Sequence, residues 1–485
     1  MSPSNTLFRS LLLLVLSSVT LAEIIPLVGR SPGYAPHSRR QPLEGRAFGN
    51  GSVAVFNQGN LQYSCNLTIG GREYNVIVDT GSNDLWVMGT PPTTETTGIS
   101  ASLAYSRGVV NGGINTADIA FDNFKVAKQA YLLASQSKDV GITNGNGILG
   151  IGPSNSSNIL NKLNSSKNTT VDGLPLMDRI FRQNMNTPNF MTLLLSRSQD
   201  ETVSRVPLLD NHPGLLTIGE TVPEYKEIRN MPKLKVPIDP LGQQHWQTLL
   251  DSNGIIGPDG KPIQTTTGVP EPREGKADQL HVVFDSGFSI PQLPKPILDS
   301  IYGRVPGAKY MDTEGLYSLP CEYELNVTFL LGGREYPIAP LDLSINATLD
   351  DGTKGCFSHF QKAPDNIRDF GSIDAILGMA FLRNTYMLID FGDFVGGSGA
   401  NVADPYIQLL STVDKTAAHR DFVNARLGGV DTTGSQAPLT GSSSTNGGNN
   451  GNGKQDDKNS AGKVVGFGTS WAFLIFVVLG VVVGA

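Results

Sequence analysis

The chain of 485 residues is poor in cysteine and in charged residues, and each shortage excludes a class of protein. Three cysteines are too few for a disulfide-dense scaffold. Lys and Arg number 37 against 44 Asp and Glu, and no basic run exceeds Arg39-Arg40, so a nucleic-acid partner is not expected. A hydrophobic content of 39% with 7% aromatic residues excludes wholesale disorder and a polytopic membrane protein.

Signatures of metal, serine and dinucleotide chemistry are also missing. The six histidines show no His-Glu-x-x-His or other ligand spacing, so no metal or other cofactor is expected. No G-x-S-x-G occurs, and a serine hydrolase therefore has no support. Residues 145–150 fit G-x-G-x-x-G by letter but lack the strand-turn-helix context of a dinucleotide site. His281 is interpreted as a packed strand residue rather than a base.

Both ends of the chain have the composition of targeting segments. Arg9 precedes an apolar run, and small residues lead up to Ala22, as in a secretory signal peptide covering residues 1–22. At the other end, a terminal apolar tail follows a polar spacer with small residues near Asn459. This pattern predicts glycosylphosphatidylinositol (GPI) attachment at Asn459 and removal of residues 460–485. A true membrane span at the tail is the alternative.

Two low-complexity segments lie between these ends and the central part of the chain. Residues 23–49 contain the dibasic pair Arg39-Arg40, which is either a propeptide processing site or a solvated pair without a role. The Gly/Ser/Asn-rich residues 413–459 predict a flexible stalk. The protein is expected at the cell surface, where its anchor is kept in the plasma membrane, transferred to the cell wall or shed. Seven N-x-S/T sequons behind a signal peptide predict a glycoprotein that passes through the secretory pathway: Asn50, Asn66, Asn155, Asn164, Asn168, Asn326 and Asn346.

The sequence pattern of the central residues 50–412 is typical of a mainly β protein and contains an internal repeat. Helical stretches are few, and the best candidates are residues 174–182 and 295–302. The apolar strand that ends at Asp79 recurs as one that ends at Asp285, and a distant Ile-Leu-Gly follows each copy. The repeat predicts two homologous, barrel-like lobes, residues 50–225 and 226–412. Short apolar runs predict strands at residues 74–78, 117–121, 191–195, 281–284, 323–331 and 386–390.

Two Asp-hydroxyl-Gly motifs, one in each repeat, are the candidate active site. A single copy is usually a turn, in which Asp caps the backbone and Gly accepts a positive φ. Two copies related by a pseudo-twofold axis could bring the carboxylates of Asp79 and Asp285 together. Such a pair shares one proton over an acidic range, as is established for paired carboxylates, and can activate a water while protonating a carbonyl oxygen.

At these residues the chain resembles the pepsin-like aspartic proteases, of the secreted, GPI-anchored fungal type. Residues 79–87 match the first catalytic motif, residues 285–287 match the second, and residues 376–390 resemble the C-terminal signature. The resemblance covers residues 61–411. It implies a bilobal pepsin-like fold with a cleft between the lobes, and an aspartic endopeptidase that acts on polypeptides at acidic pH without a cofactor. A monomer attached to the membrane through its lipid anchor is expected.

The resemblance also implies roles for individual residues. Asp79 and Asp285 would be the catalytic pair. Tyr105 and Gly108 align with the flap that covers the substrate and Trp86 with the residue that supports it, although a surface tyrosine is the alternative for Tyr105. A disulfide between Cys321 and Cys356 resembles the bridge of the C-terminal lobe and would leave Cys65 as a buried small hydrophobe. Support of the catalytic pair is implied for Thr80, Gly81, Ser82, Ser286, Gly287 and Ser289.

Phe288 departs from the family pattern, in which Ser or Thr follows the second Asp-Ser-Gly. A hydroxyl there would hydrogen-bond ionised Asp285 and favour it, so its absence bears on the rate and the pH optimum. We count Phe288 among the substrate-binding residues. Together with Ser106, which replaces the usual flap glycine, it supports a rival reading as a catalytically impaired scaffold that acts as a surface binding or wall glycoprotein. Both aspartates and both hydroxyl partners favour the enzyme.

Overall fold

The computed structural model describes residues 52–441 apart from residues 59, 107, 139, 141, 143–144, 167–170, 185–186, 198–213, 241, 272, 349–353 and 393–403. Its strands, in chain order, are β1 Ser52–Ala54, β2 Phe56–Gln58, β3 Gln62–Ile69, β4 Arg72–Asp79, β5 Leu85–Met88, β6 Glu95–Ala104, β7 Val109–Phe121, β8 Phe124–Lys138, β9 Gly147–Gly150, β10 Phe190–Leu195, β11 Gly214–Ile218, β12 Leu234–Lys235, β13 Gln247–Leu249, β14 Ile255–Ile256, β15 His281–Phe284, β16 Gln292–Leu293, β17 Lys309–Met311, β18 Leu316–Leu319, β19 Val327–Leu331, β20 Arg334–Ile338, β21 Ser344–Thr348, β22 Lys354–Ser358, β23 Gln361–Lys362, β24 Ala375–Leu377, β25 Thr385–Asp390 and β26 Tyr406–Ser411.

Helices are few and short along these residues. The α-helices are α1 Asn158–Ser165, α2 Leu176–Gln183, α3 Lys295–Ile301, α4 Met379–Leu382 and α5 Lys415–Leu427. Short 3-10 helices occur at Ser154–Ser156, Pro223–Asn230, Pro340–Asp342, Ile367–Phe370 and Thr433–Ser435. Within residues 52–441 as described, no helix is long and apolar enough to cross a membrane. The predicted signal peptide, propeptide and GPI signal, with Asn50, Asn168 and Asn459, lie outside the described residues.

The internal repeat corresponds to the same strand arrangement in two sheets. An eight-stranded sheet, ordered β2-β3-β4-β9-β5-β8-β7-β6, forms the N-terminal lobe, and an additional β3–β7 pairing curls it toward a barrel. A five-stranded sheet, ordered β13-β15-β24-β16-β23, lies in the C-terminal lobe beside smaller sheets of three and four strands. In both lobes the strand that leads to the aspartate pairs in parallel with the Ile-Leu-Gly strand, β4 with β9 and β15 with β24.

A six-stranded sheet contains strands from both predicted lobes, in the order β1-β11-β10-β25-β26-β12. Phe190 and Leu194 of β10 pack on one face, in a cluster with Tyr386, whereas Met191 and Leu193 contribute to the main core on the other face. Because both faces are covered, the strand is buried throughout and apolar at every position except Thr192, instead of alternating. The sheet thus belongs to neither lobe alone, and the predicted boundary at 225/226 falls inside the 3-10 helix that packs against it.

The predicted strands and helices lie where the sequence indicated, with two differences. The run predicted as a strand at 323–331 begins as a strand only at Val327. The predicted stalk begins with α5, which buries Phe422 and Val423. Asp414 caps this helix by accepting hydrogen bonds from the N–H groups of residues 416 and 417, and Gly428 ends it at φ 64°. The stalk prediction is therefore wrong for residues 415–427. These residues are mostly polar and give no strong apolar pattern, but they form a helix that is capped at both ends.

Candidate active site

Asp79 and Asp285 stand at equivalent ends of two buried strands. Asp79 is the last residue of β4, and its carbonyl accepts a hydrogen bond from the N–H of Ile151, 2.8 Å away. Asp285 follows β15 directly, and its N–H donates to the carbonyl of Leu377 at 3.1 Å. The parallel neighbour strand that carries Ile-Leu-Gly thus positions the backbone at each aspartate, which explains why both motifs repeat together.

The hydroxyl groups of Thr80 and Ser286, the residues directly after the two aspartates, connect the loop that follows β4 to the loop that follows β15. Thr80 Oγ1 accepts from the N–H of Ser286 at 2.8 Å and donates to the carbonyl of Phe284 at 2.8 Å. In the reverse direction, Ser286 Oγ accepts from the N–H of Thr80 at 3.0 Å and donates to the carbonyl of Val78 at 2.8 Å. All four bonds are buried and cross between the lobes, so the two loops have one fixed relative position.

The two glycines allow the carboxylates to approach each other. The N–H of Gly81 donates to Asp79 Oδ1 at 2.9 Å, and the N–H of Gly287 donates to Asp285 Oδ1 at 2.7 Å. A methyl group on Gly81 would overlap the Asp285 carboxylate, and one on Gly287 would overlap that of Asp79. Each carboxylate therefore rests against the glycine of the opposite loop.

Burial dominates the electrostatics of the pair. Both aspartates are fully buried. Burial raises the pKa of Asp79, while hydrogen bonds from the Ser82 hydroxyl and the Gly81 N–H oppose this shift. Ser82 Oγ lies 2.5 Å from Asp79 Oδ2. Two adjoining carboxyl groups in such a site cannot both ionise cheaply, so the arrangement favours one shared proton.

The structure corrects the sequence-based expectations for Ser289 and Phe288. Ser289 Oγ donates to the carbonyl of Leu61 at 2.6 Å, so this hydroxyl joins the lobes instead of supporting Asp285. Phe288 is 1% exposed and packs in an apolar cluster with Val283 and Ile376. An aromatic side chain gains more from this cluster than from the edge of a cleft, and Phe288 does not line a substrate surface.

The predicted flap is the hairpin of β6 and β7, with Tyr105 at its turn. Trp86 Nε1 donates to the hydroxyl of Tyr105 at 2.7 Å, and the N–H of Tyr105 donates to the carbonyl of Gly108 at 3.0 Å. Tyr105 is 5% exposed, which contradicts the alternative of a surface tyrosine. Burial, followed by the charge of Asp79, raises its pKa well above the ordinary value. The flap turn is therefore held by Trp86, which follows the Asp79 loop on β5.

Sequence reasoning missed two buried ionisable residues beside these loops. Asp84 accepts hydrogen bonds from Ser157 Oγ at 2.5 Å and from the N–H of Asn158 at 2.9 Å, at the start of α1. Burial raises its pKa to about 6, against these hydrogen bonds. The N-cap serine before α1 was the available signal. His245 is the second such residue, and no sequence motif marked it.

The cysteines have the predicted arrangement. Cys321 and Cys356 form a disulfide with a Cα–Cα distance of 5.1 Å, and Arg426 Nη1 lies 3.1 Å from Cys356 Sγ. Cys65 is free and buried on β3, where burial raises its pKa to about 12. Across the described segments, no group of three or more His, Cys, Asp and Glu residues is placed to hold a metal ion.

Comparison with known proteins identifies the family. The model of the family described as eukaryotic aspartyl protease matches residues 62–208 and 264–396, more than half of the chain. The chain belongs to this family. It is a hydrolase of the aspartic endopeptidase type, and its mainly β, bilobal architecture is that of the pepsin-like enzymes.

Curated relatives and a solved structure extend this similarity over most of the chain. Major aspartyl peptidase 1 of Cryptococcus neoformans is 23% identical over 73% of this chain and 73% of its own length. Vacuolar protease A of Aspergillus fumigatus is 25% identical over 77% and 88%, respectively. Penicillopepsin-2 of Penicillium janthinellum is 25% identical over 68% and 76%. The aspartic proteinase from Irpex lacteus shares the fold, with a TM-score of 0.52 and 19% identity over 76% of this chain and 99% of that one.

Proposed function

We propose that this family member hydrolyses peptide bonds at acidic pH through a dyad formed by Asp79 and Asp285. The observation that carries the proposal is the mutual packing of each carboxylate against the glycine of the opposite loop. The crossed hydroxyl bonds of Thr80 and Ser286 keep this geometry. The polypeptide substrate would lie over the dyad and beneath the flap turn at Tyr105.

The two loops differ in one hydroxyl group, and this difference indicates which aspartate acts as the base and which acts as the acid. Ser82 Oγ hydrogen-bonds Asp79 and favours its ionised form, whereas Phe288 offers no hydroxyl at the equivalent position of the second loop. Asp79 would therefore take a proton from the attacking water, while Asp285 would donate its proton to the carbonyl oxygen of the scissile bond. The tetrahedral intermediate then collapses when the leaving nitrogen is protonated, and no covalent enzyme intermediate forms.

The test is the loss of cleavage in two isosteric variants. We expect Asp79→Asn and Asp285→Asn each to abolish cleavage of a denatured protein between pH 3 and 6, because neither variant retains two carboxyl groups. The wild type should be blocked by a statine-type inhibitor, and both variants should keep the wild-type circular dichroism spectrum. Activity retained in either folded variant would refute the dyad, and an inactive wild type would favour the scaffold reading.

We further propose that the protein is secreted, glycosylated and attached to the cell surface by a GPI anchor at Asn459, in preference to a membrane-spanning tail. Exposed asparagines at four sequons support glycosylation: Asn155, Asn164, Asn326 and Asn346. Asn66 is half-buried, and its Oδ1 accepts from Asn75 Nδ2 at 2.8 Å, so we expect the least modification there.

Phospholipase treatment tests the anchor. Phosphatidylinositol-specific phospholipase C should release the protein from membranes, and peptide mapping of the mature protein should find no peptide from residues 471–485. Recovery of that peptide from the membrane-bound protein would instead establish a spanning tail.

A further inference from the structure

A groove of about 250 Å³ lies between the β19–β20 hairpin and the start of α5. Thr328 of β19 and its cross-strand neighbour Pro337 of β20 line one wall. Val413, which precedes the helix, and Ala418 in its first half line the other wall. Most of the lining residues are apolar, and no side chain of the described residues fills the space between the two walls.

The first half of α5 has few other contacts to hold it on the lobe. The helix has 13 residues, and its buried side chains begin only at residue 421. Before that point, His419 contacts Glu324, and Lys415 Nζ lies 3.3 Å from Glu335 Oε2 of β20. The pair of Lys415 is exposed, and such pairs add little stability. Because a helix of this length is marginal by itself, the empty groove leaves its first turns weakly supported.

Asn326 connects this groove to a possible occupant. It is exposed, lies directly before β19 and contributes to the lining of the groove. With Val327 and Thr328 it forms an N-x-S/T sequon, and both of these residues also line the groove. An oligosaccharide bonded to Asn326 Nδ2 would therefore begin at the groove itself. The other exposed sequon asparagines do not line it: Asn155, Asn164 and Asn346.

The first sugar of an N-linked oligosaccharide, N-acetylglucosamine, suits the groups that line the groove. One face of its pyranose ring consists of C–H groups, and its acetamide ends in a methyl group. Both can pack on the apolar side chains of Pro337, Val413 and Ala418. Its oxygens can accept a hydrogen bond from the ammonium group of Lys415, which also lines the groove. Because the sugar is bonded to Asn326, the contact is intramolecular and does not require a high affinity.

We propose that this groove binds the first N-acetylglucosamine of an oligosaccharide on Asn326, which packs between the β19–β20 hairpin and α5 and holds the first half of the helix on the C-terminal lobe. The modification would then have a structural role at this one sequon, because α5 leads from the lobe toward the tail of the chain. The inference rests on the proposed glycosylation and secretion and does not depend on the dyad.

The test is hydrogen exchange on the full-length glycoprotein from a fungal host. Asn326→Gln and Thr328→Ala each remove the sequon. We expect the protection of residues 416–422 to fall about tenfold in both variants, the equivalent of about 1.4 kcal/mol, or of about two buried CH₂ groups. The measurement is made at pH 5, where His419 stays charged because its pKa is raised above 6.5. Peptidase activity should equal that of the wild type.

Two further variants serve as matched controls. Asn164→Gln removes an exposed sequon on α1, outside the groove, and should leave the protection of residues 416–422 at the wild-type level. Thr328→Ser keeps the sequon, and its glycosylated form should also be protected like the wild type. An equal loss of protection in Asn164→Gln would overturn the inference, as would unchanged protection in Asn326→Gln.

Enzymatic trimming of the folded wild type tests the sugar without a substitution. Endoglycosidase H leaves one N-acetylglucosamine on the asparagine, so the protection of residues 416–422 should be retained. Peptide N-glycosidase F removes that sugar as well and converts the asparagine to aspartate, and its product should resemble Asn326→Gln. Loss of protection after endoglycosidase H would assign the effect to the outer sugars and overturn the inference.

Mass spectrometry of the sequon peptides separates this inference from the proposed function. An unmodified Asn326 beside other modified sequons would overturn the inference alone and leave the secretory proposal intact. A wild-type protein without sugar at any sequon would refute both. Protection that rises with protein concentration and persists in Asn326→Gln would assign the groove to a second copy of the chain and overturn the inference.

Discussion

At the scale of residues, the sequence predicted the two aspartates and their hydroxyl partners because a duplicated motif is visible without a structure. Thr80 and Ser286 exchange hydrogen bonds as a pseudo-twofold axis requires. The contacts of Ser289 and Phe288 were not predictable. Ser289 hydrogen-bonds Leu61, 228 residues away, and Phe288 packs in an apolar cluster. Such contacts depend on the packing of distant segments, which no local pattern encodes.

Phe288→Thr tests how the second loop controls ionisation. A hydroxyl at this position can donate to ionised Asp285 and lower its pKa, so the acid limb of kcat/KM should move to lower pH. One hydrogen bond of about 1–1.5 kcal/mol corresponds to a shift of up to about one pH unit. The measurement is a pH profile with a peptide substrate.

The control for this variant is its thermal stability, because truncating a buried phenylalanine leaves a cavity. Phe360→Leu, at another buried aromatic of the same lobe, provides a comparison that loses core volume without adding a hydroxyl. An acid limb that stays in place while stability is retained would show that no donor is missing at Asp285.

At the scale of elements, strands with strong apolar runs were predictable and the helix α5 was not. β10 and β25 are mainly apolar and almost wholly buried because the six-stranded sheet is covered on both faces. In contrast, α5 buries little more than Phe422 and Val423, and side-chain contacts hold it against the lobe. His419 Nδ1 lies 2.9 Å from Glu324 Oε1, and Nε2 lies 3.2 Å from Asp431 Oδ2.

We expect the attachment of α5 and residues 428–441 to weaken as the pH rises. Hydrogen bonding to Glu324 raises the pKa of His419, with Asp431 adding to this. A raised histidine pKa contributes stability that is fully present below pH 6.5 and is lost as the pH rises through the folded value. Hydrogen-exchange protection of residues 415–435, corrected for intrinsic rates, should decrease between pH 5 and 8 in the wild type.

His419→Gln provides the comparison for this prediction, since glutamine can accept and donate hydrogen bonds but carries no charge. Its protection over residues 415–435 should be low and should not change with pH. A wild-type protection that is equally independent of pH would contradict the prediction.

At the scale of the whole molecule, a buried ionic network joins the lobes. Asp342 binds Arg197, and its Oδ1 lies 2.9 Å from Arg383 Nε. Arg383 also donates to the carbonyl of Asn60 at 2.6 Å. Burial alone would raise the pKa of Asp342, but the charges of Arg197 and Arg383 lower it below its ordinary value. The network is therefore retained in acid until the pH falls through that lowered pKa.

Asp342→Asn should destabilise the protein by about 3–5 kcal/mol, because it leaves the buried guanidinium of Arg383 and the partly buried one of Arg197 without their carboxylate. Denaturant unfolding at pH 5 measures the loss. Glu335→Gln, which removes an exposed partner of Lys415, should change the unfolding free energy by less than about 0.5 kcal/mol. A similarly small effect of Asp342→Asn would show that the network adds nothing to the cohesion of the lobes.

The crossed bonds of the active site also bear on the synthesis of the chain. Thr80 and Ser286 are 206 residues apart, and each loop takes its position from the other. A nascent chain that has emerged only as far as its first aspartate lacks the second carboxyl group and the bonds that would align the first. If the proposed dyad carries the activity, we expect no peptidase activity from a growing polypeptide until its second half has been translated and has docked.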